Sequence, residues 1–131
     1  MHISWLGGTA IKLQTKNDDK EITIVIDPYK QEKGSFPRSL APNIACFSNT
    51  QKNSITLSQD PFVVDTLGEM EVQKVMIYAL PGEEQVIFKI NSEDMNLVHL
   101  GMISKKPTSS VLEKLDTPDI LIIPVGGEPF I

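Results

Sequence analysis

The residues from Ser48 to Ser54 read Ser-Asn-Thr-Gln-Lys-Asn-Ser and follow an apolar run, Ile44-Ala45-Cys46-Phe47. A buried strand that runs into a polar loop at a sheet edge is where active sites are commonly built. Asn49, Gln51 and Asn53 alternate there, but carboxamides do not titrate and are weak, neutral metal ligands. Titratable candidates are few: two histidines, His2 and His99, and one cysteine, Cys46. Asp27 stands where a β-branched strand stops at Pro28 and is the best-placed carboxylate. A Ser-His-acid set could be drawn from Ser48 or Ser54 with His99 and Asp27, but no Gly-x-Ser-x-Gly elbow accompanies it.

The remaining candidates have plainer readings. His99, between Val98 and Leu100, reads as a core or edge histidine, and His2 as an exposed residue near the terminus. Cys46 reads as a buried structural thiol. Glu69, Glu71, Glu83 and Glu84 lack the spacing of a Ca²⁺ loop and read as a solvated acidic face. Gly126-Gly127 reads as a tight turn, because no lysine and no following helix suggest a phosphate cradle.

The elements that must position these residues are mostly strands. His2 to Leu6 and Ala10 to Thr15 read as a hairpin, with Ile11 and Leu13 on one face and Lys12 and Gln14 on the other. Glu21 to Ile26 is β-branched and is expected to be buried on both faces. Further strands are expected at Ile44 to Phe47, Ile55 to Leu57, Phe62 to Asp65, Glu69 to Gln73, Lys74 to Leu80, Gln85 to Ile90, Asn96 to Leu100 and Asp119 to Val125. Tyr29 to Pro42 reads as loop. Pro107 to Leu115 is the one good helix candidate, capped by Thr108, with Val111, Leu112 and Leu115 on one face. About ten strands to one helix suggest stacked sheets.

At 131 residues, the chain reads as one domain, 1–131. A net charge of −5 with scattered lysines argues against nucleic acid. No apolar run is long enough to span a membrane. Met1-His2-Ile3-Ser4-Trp5 lacks the charged start and long apolar core of a signal peptide. A single cysteine leaves no internal disulfide, so a cytoplasmic protein is expected.

Four segments, in order, resemble the metallo-β-lactamase-fold superfamily, in particular the metal-dependent hydrolase branch of the ascorbate-phosphate lactonase-like proteins. They are Ile3-Ser4-Trp5-Leu6-Gly7-Gly8, Ile24-Val25-Ile26-Asp27-Pro28, Asn96-Leu97-Val98-His99-Leu100-Gly101 and Asp119-Ile120-Leu121-Ile122-Ile123-Pro124-Val125-Gly126-Gly127. The resemblance implies an α/β fold: a metallo-β-lactamase-like β-sandwich (αββα), strand-rich and truncated at the C-terminal end. It also implies zinc, bound through a Thr-His-x-His-x-Asp-His signature after the strand at Ala45 to Phe47. On this chain the signature falls on Ser48 to Ser54. Asn49, Gln51 and Ser54 stand for the histidines, and Asn53 for the aspartate. The aspartate of the family's His-Leu-Gly-Asp strand is Met102, and Gly82-Glu83-Glu84 stands where another histidine is expected.

Zinc hydrolases need imidazole and carboxylate ligands to lower the pKa of a bound water. The expectation is therefore a degenerate, non-catalytic relative with no cofactor, binding a ligand or partner through the former active-site rim. That rim is Asp27, Ser48, Asn49, Gln51, Asn53, Ser54, His99 and Met102. A shortened sandwich would leave an apolar face or sheet edge open, which suggests a homodimer or a protein partner. The alternatives are a metal-dependent hydrolase of phosphate or lactone esters using unusual ligands, and a purely structural interaction domain.

Overall fold

The computed structural model describes residues 1–30, 40–52 and 54–125. The chain divides into two compact units, Met1–Asp65 and Thr66–Ile131. Each is built on one five-stranded sheet.

The first unit contains β1 (His2–Gly7), β2 (Ala10–Asn17), β3 (Lys20–Ile26), β4 (Ile44–Cys46) and β5 (Phe62–Val64), ordered β1-β2-β3-β4-β5. β1, β2 and β3 pair antiparallel, and β4 and β5 are then added parallel. The register sets Leu13 against Ile24 and Ile24 against Ile44, so one face gathers Ile11, Leu13, Ile22, Ile24, Ile26 and Ile44, all buried. Val25 and Ala45, on the other face, are buried too. The β-branched run of β3 therefore has two covered faces, as its composition implies.

The second unit contains β6 (Gly68–Val72), β7 (Val75–Pro81), β8 (Val86–Ser92), β9 (Met95–His99), α1 (Ser109–Leu115) and β10 (Ile120–Ile122). Its order is β10-β9-β8-β7-β6. Only the β9–β10 pair is parallel, and α1 makes the crossover that a parallel pair requires. Thr108 caps α1, its side chain accepting from the Val111 N–H. Val111 and Leu115 pack on Leu80, Ile87 and Val98. Alternation puts Ile77, Ala79, Phe88, Ile90, Leu97 and His99 on the opposite face of this sheet, also buried.

Three hairpins turn on two residues that are both left-handed: Asp18-Asp19, Gln73-Lys74 and Glu93-Asp94. All six residues have positive φ, between 49° and 67°. Paired left-handed residues match the twist of the flanking strands, and here none of them is glycine.

The strand and helix pattern follows the expectation, with ten strands and one helix among the described residues. Several details differ. Ile55 to Leu57 forms no strand; Ile55 instead donates its N–H to Pro28 O at 2.9 Å. The strand expected over Asp119 to Val125 is only β10, and Leu121, Ile123 and Val125 are exposed. One face of its apolar run is not covered by the described residues, with Leu121 49% and Ile123 48% exposed. Leu112 is 39% exposed, so the buried face of α1 is narrower than its periodicity suggests. Gly68 is the first residue of β6 rather than the one before it, and Pro81 is the last residue of β7. Among the described residues, no helix is long and apolar enough to cross a membrane. Gly126-Gly127 and most of the Tyr29 to Pro42 loop lie outside the described residues.

Candidate functional site

Because β3, β4 and β5 run parallel, their C-terminal ends share one edge of the first sheet. Ligand sites in open parallel sheets collect at such edges. Asp27 follows β3, Ser48 to Ser54 follow β4, and Asp65 follows β5.

Asp27 is the pivot. It is 1% exposed, and its φ of 53° lies in the left-handed region. That conformation costs energy for a non-glycine residue, and it persists where surrounding bonds over-determine it. Those bonds are present. The Asp27 N–H donates to Cys46 O at 2.9 Å, which carries the β3–β4 ladder one step further. Ser48 donates its N–H to Asp27 Oδ1 at 2.7 Å and its hydroxyl to Oδ2 at 2.6 Å. The Tyr29 N–H donates to Asp27 O at 2.7 Å.

Tyr29 adds a second layer. Its ring lies 6.1 Å from that of Phe47, and its hydroxyl accepts the Asn49 N–H at 3.1 Å. Burial and then the Asp27 charge push the Tyr29 hydroxyl up to about 12. Burial, with Asp27 adding to it, also pushes the Cys46 thiol up. Both groups are therefore neutral near pH 7, and Cys46 is fully buried, as expected.

The rest of the loop is fixed at its ends and open in between. Ser54 bridges to Tyr29, and its N–H donates to Gln51 O at 3.0 Å. The Gln51 carboxamide donates to Asp65 Oδ2 at 2.5 Å. Asn49, Thr50, Gln51 and Lys52 are exposed, whereas Ser48 is buried. Asn53 lies outside the described residues. The first unit thus brings together Asp27, Ser48, Asn49, Gln51 and Ser54.

His99 and Met102 belong to the second unit and are described there by themselves. His99 ends β9, is 1% exposed, and its Nδ1 accepts the Gly101 N–H at 3.2 Å. Met102 is exposed, but its N–H is held by Gln85 Oε1 at 2.7 Å. His2 is exposed.

The sequence reading missed Tyr29, Asp65 and Gln85. Two had a local signal: Tyr29 directly follows Asp27-Pro28, and Asp65 ends the Phe62-Val63-Val64 run. Gln85 had none, because its role depends on a loop 15 to 17 residues away.

The family model described as the beta-lactamase superfamily domain matches residues 2–131. The chain belongs to the β-lactamase superfamily. A solved structure from Thermotoga maritima, a proposed Zn-dependent hydrolase of the metallo-β-lactamase superfamily, superposes with a TM-score of 0.79 at 24% identity. The match covers 96% of this chain and 61% of that one. At that identity the likeness speaks for the fold: a strand-rich metallo-β-lactamase-like fold with two mixed sheets and one short helix among the described residues. The chain spans about three-fifths of the length of the structure it matches. No curated protein matches it.

The matched Thermotoga maritima structure is that of a proposed Zn-dependent hydrolase, and the described donors of this chain bear on whether zinc fits here. Among the described residues, no three His, Cys, Asp or Glu side chains come together to hold a metal. Ser48 engages both oxygens of the Asp27 carboxylate, and its described neighbours in the loop offer hydroxyl, carboxamide and ammonium groups. Taken alone, these described donors do not make up a zinc centre, which needs several anionic or imidazole ligands.

Proposed function

We propose that this β-lactamase superfamily domain is a degenerate, non-catalytic relative that binds a protein partner or a small ligand through the loop after β4. The observation that carries this reading is the Asp27–Ser48 pair. The carboxylate best placed to act is turned into an internal brace, with one oxygen on the Ser48 N–H and the other on its hydroxyl. Bound this way, Asp27 shapes the loop and leaves Asn49, Thr50 and Gln51 exposed as the groups a partner would meet. Those side chains donate and accept hydrogen bonds without carrying charge, and the exposed Lys52 beside them adds one ammonium, which together suit recognition of a polar surface.

The same reading assigns no cofactor, no nucleic-acid partner and no membrane partner, and places the chain in the cytoplasm. It includes association with a second copy or a protein partner, supported by the exposed Leu121, Ile123 and Val125 at and beyond the β10 edge. The test is turnover of phosphate esters and lactones by the purified chain with Zn²⁺ or Mn²⁺ added. The reading expects no turnover above a metal-matched blank. Metal-dependent turnover that is lost in Asp27→Asn contradicts it and supports a hydrolase with unusual ligands.

A further inference from the structure

Two loops lie at one end of the second sheet. Residues 82–85 join β7 to β8, and residues 100–102 follow β9. Antiparallel pairing of β7, β8 and β9 brings the end of β7, the start of β8 and the end of β9 to the same side. Gln85 spans the two loops. Its Nε2 donates to Leu100 O at 2.9 Å, and its Oε1 accepts the Met102 N–H at 2.7 Å. Both ends of the carboxamide are therefore used on backbone two residues apart, as a neighbouring strand would use them.

Each loop is also closed on itself. The Gly82 N–H donates to Gln85 O at 2.8 Å, and the Gly101 N–H donates to His99 Nδ1 at 3.2 Å. Glu83 and Lys105 add an ion pair at 2.8 Å, but both side chains are exposed and such a pair contributes little. Gln85 is the connection that matters.

A metal ion taking ligands from two loops holds them together and couples their order to its own binding. The residues at these two loops, Gly82-Glu83-Glu84 and Met102, do not supply such a set. We infer that Gln85 is the positioning residue that holds the loop after β9 in place of a metal, so that this loop keeps its conformation independently of metal. The inference extends the metal-free reading of the first unit to the second. Its test reads one backbone amide rather than binding or turnover, so the two fail separately.

Hydrogen exchange at the Met102 amide is followed in wild type with Zn²⁺ and with chelator, and in Gln85→Leu and Gln85→Glu. Glutamate keeps the acceptor for Met102 and loses the donor to Leu100. The wild-type rate is expected to be the same with metal or chelator. Gln85→Leu is expected to exchange Met102 about tenfold faster or more, and Gln85→Glu by a smaller factor. Amides of β7, in the same unit, report that the variants are folded. Slower exchange in wild type on adding Zn²⁺ overturns the inference, and that arm needs no variant. So does a wild-type Met102 rate in Gln85→Leu with β7 still protected.

Discussion

Ser48 closes on Asp27 from two directions, with its N–H 2.7 Å from Oδ1 and its hydroxyl 2.6 Å from Oδ2. Both residues are buried, and Asp27 sits in a left-handed conformation that few residues other than glycine adopt readily. The pair joins the ends of β3 and β4 and so determines where the exposed loop begins.

Ser48→Ala removes one of those bonds and leaves a carboxylate oxygen without that donor in a buried site. It is expected to destabilise the chain by about 2 kcal/mol, the scale of a hydrogen bond lost from a buried charged group. Urea unfolding measures this. A loss under about 0.5 kcal/mol, typical of a surface change, would mean that the pair does not brace the loop.

Tyr29 and Cys46 give the fold an alkaline limit. Tyr29 rises from 10.0 to about 12 in the folded chain, and Cys46 rises from 9.0, in both cases through burial first and the Asp27 charge second. Folded-state values above the unfolded ones mean that the native state holds these protons more tightly. Their contribution is complete below pH 9 and is lost as pH rises, from 9.0 upward for Cys46 and from 10.0 upward for Tyr29. Unfolding free energy is expected to fall steadily from pH 9 upward. A flat profile to pH 11 contradicts the assigned burial.

The Asp27 part of that shift is separable. In Asp27→Asn, Tyr29 is expected to titrate below about 12 but still above 10.0, because burial, the larger cause, remains. Ultraviolet titration of the phenol reads it. An unchanged value would mean that the Asp27 charge does not reach Tyr29.

Helix α1 is held by two residues, not three. Leu115→Ala is expected to cost about 2–4 kcal/mol, as for other buried leucines, and Leu112→Ala about 0.5 kcal/mol or less. Val111 and Leu115 are buried on the sheet, whereas Leu112 is 39% exposed. Equal costs in thermal or denaturant unfolding would contradict that placement.

Much of the fold was legible because the hydrophobic pattern was unambiguous where both faces are buried. Ile22 to Ile26 is β-branched throughout, and Val75 to Leu80 has only apolar residues and one tyrosine. The same rule misled at Asp119 to Val125: composition does not reveal that one face of a strand is not covered by the described residues, and four consecutive apolar residues became a three-residue strand with Ile123 left exposed. In the site, Asp27 was visible because Pro28 marks the strand end. Its partner was not assigned, because the Ser48–Asp27 bond joins residues 21 apart through a parallel crossover. Gln85 was invisible because Leu100 and Met102 lie 15 and 17 residues away, across the antiparallel β8–β9 pair. The two-residue turns were partly hidden because Gln73-Lys74 carries none of the usual Asn or Gly signals.

That turn is open to improvement. Replacing Gln73-Lys74 by Asn-Gly at φ values of 49° and 67° relieves left-handed strain and is expected to stabilise the chain by about 0.5–1 kcal/mol. Thermal unfolding checks it, and a lower melting temperature would count against the assigned turn geometry.

In the proposed reading, protein bonds, chiefly Asp27–Ser48, hold the loop after β4 without metal. Metal content decides it most directly. The purified chain is incubated with Zn²⁺ or Mn²⁺, desalted and measured by mass spectrometry. Less than about one-tenth of a metal per chain is the predicted result, because a structural or catalytic zinc site would retain its ion through desalting. About one or two tightly held ions per chain, lost in Asp27→Asn, would contradict it.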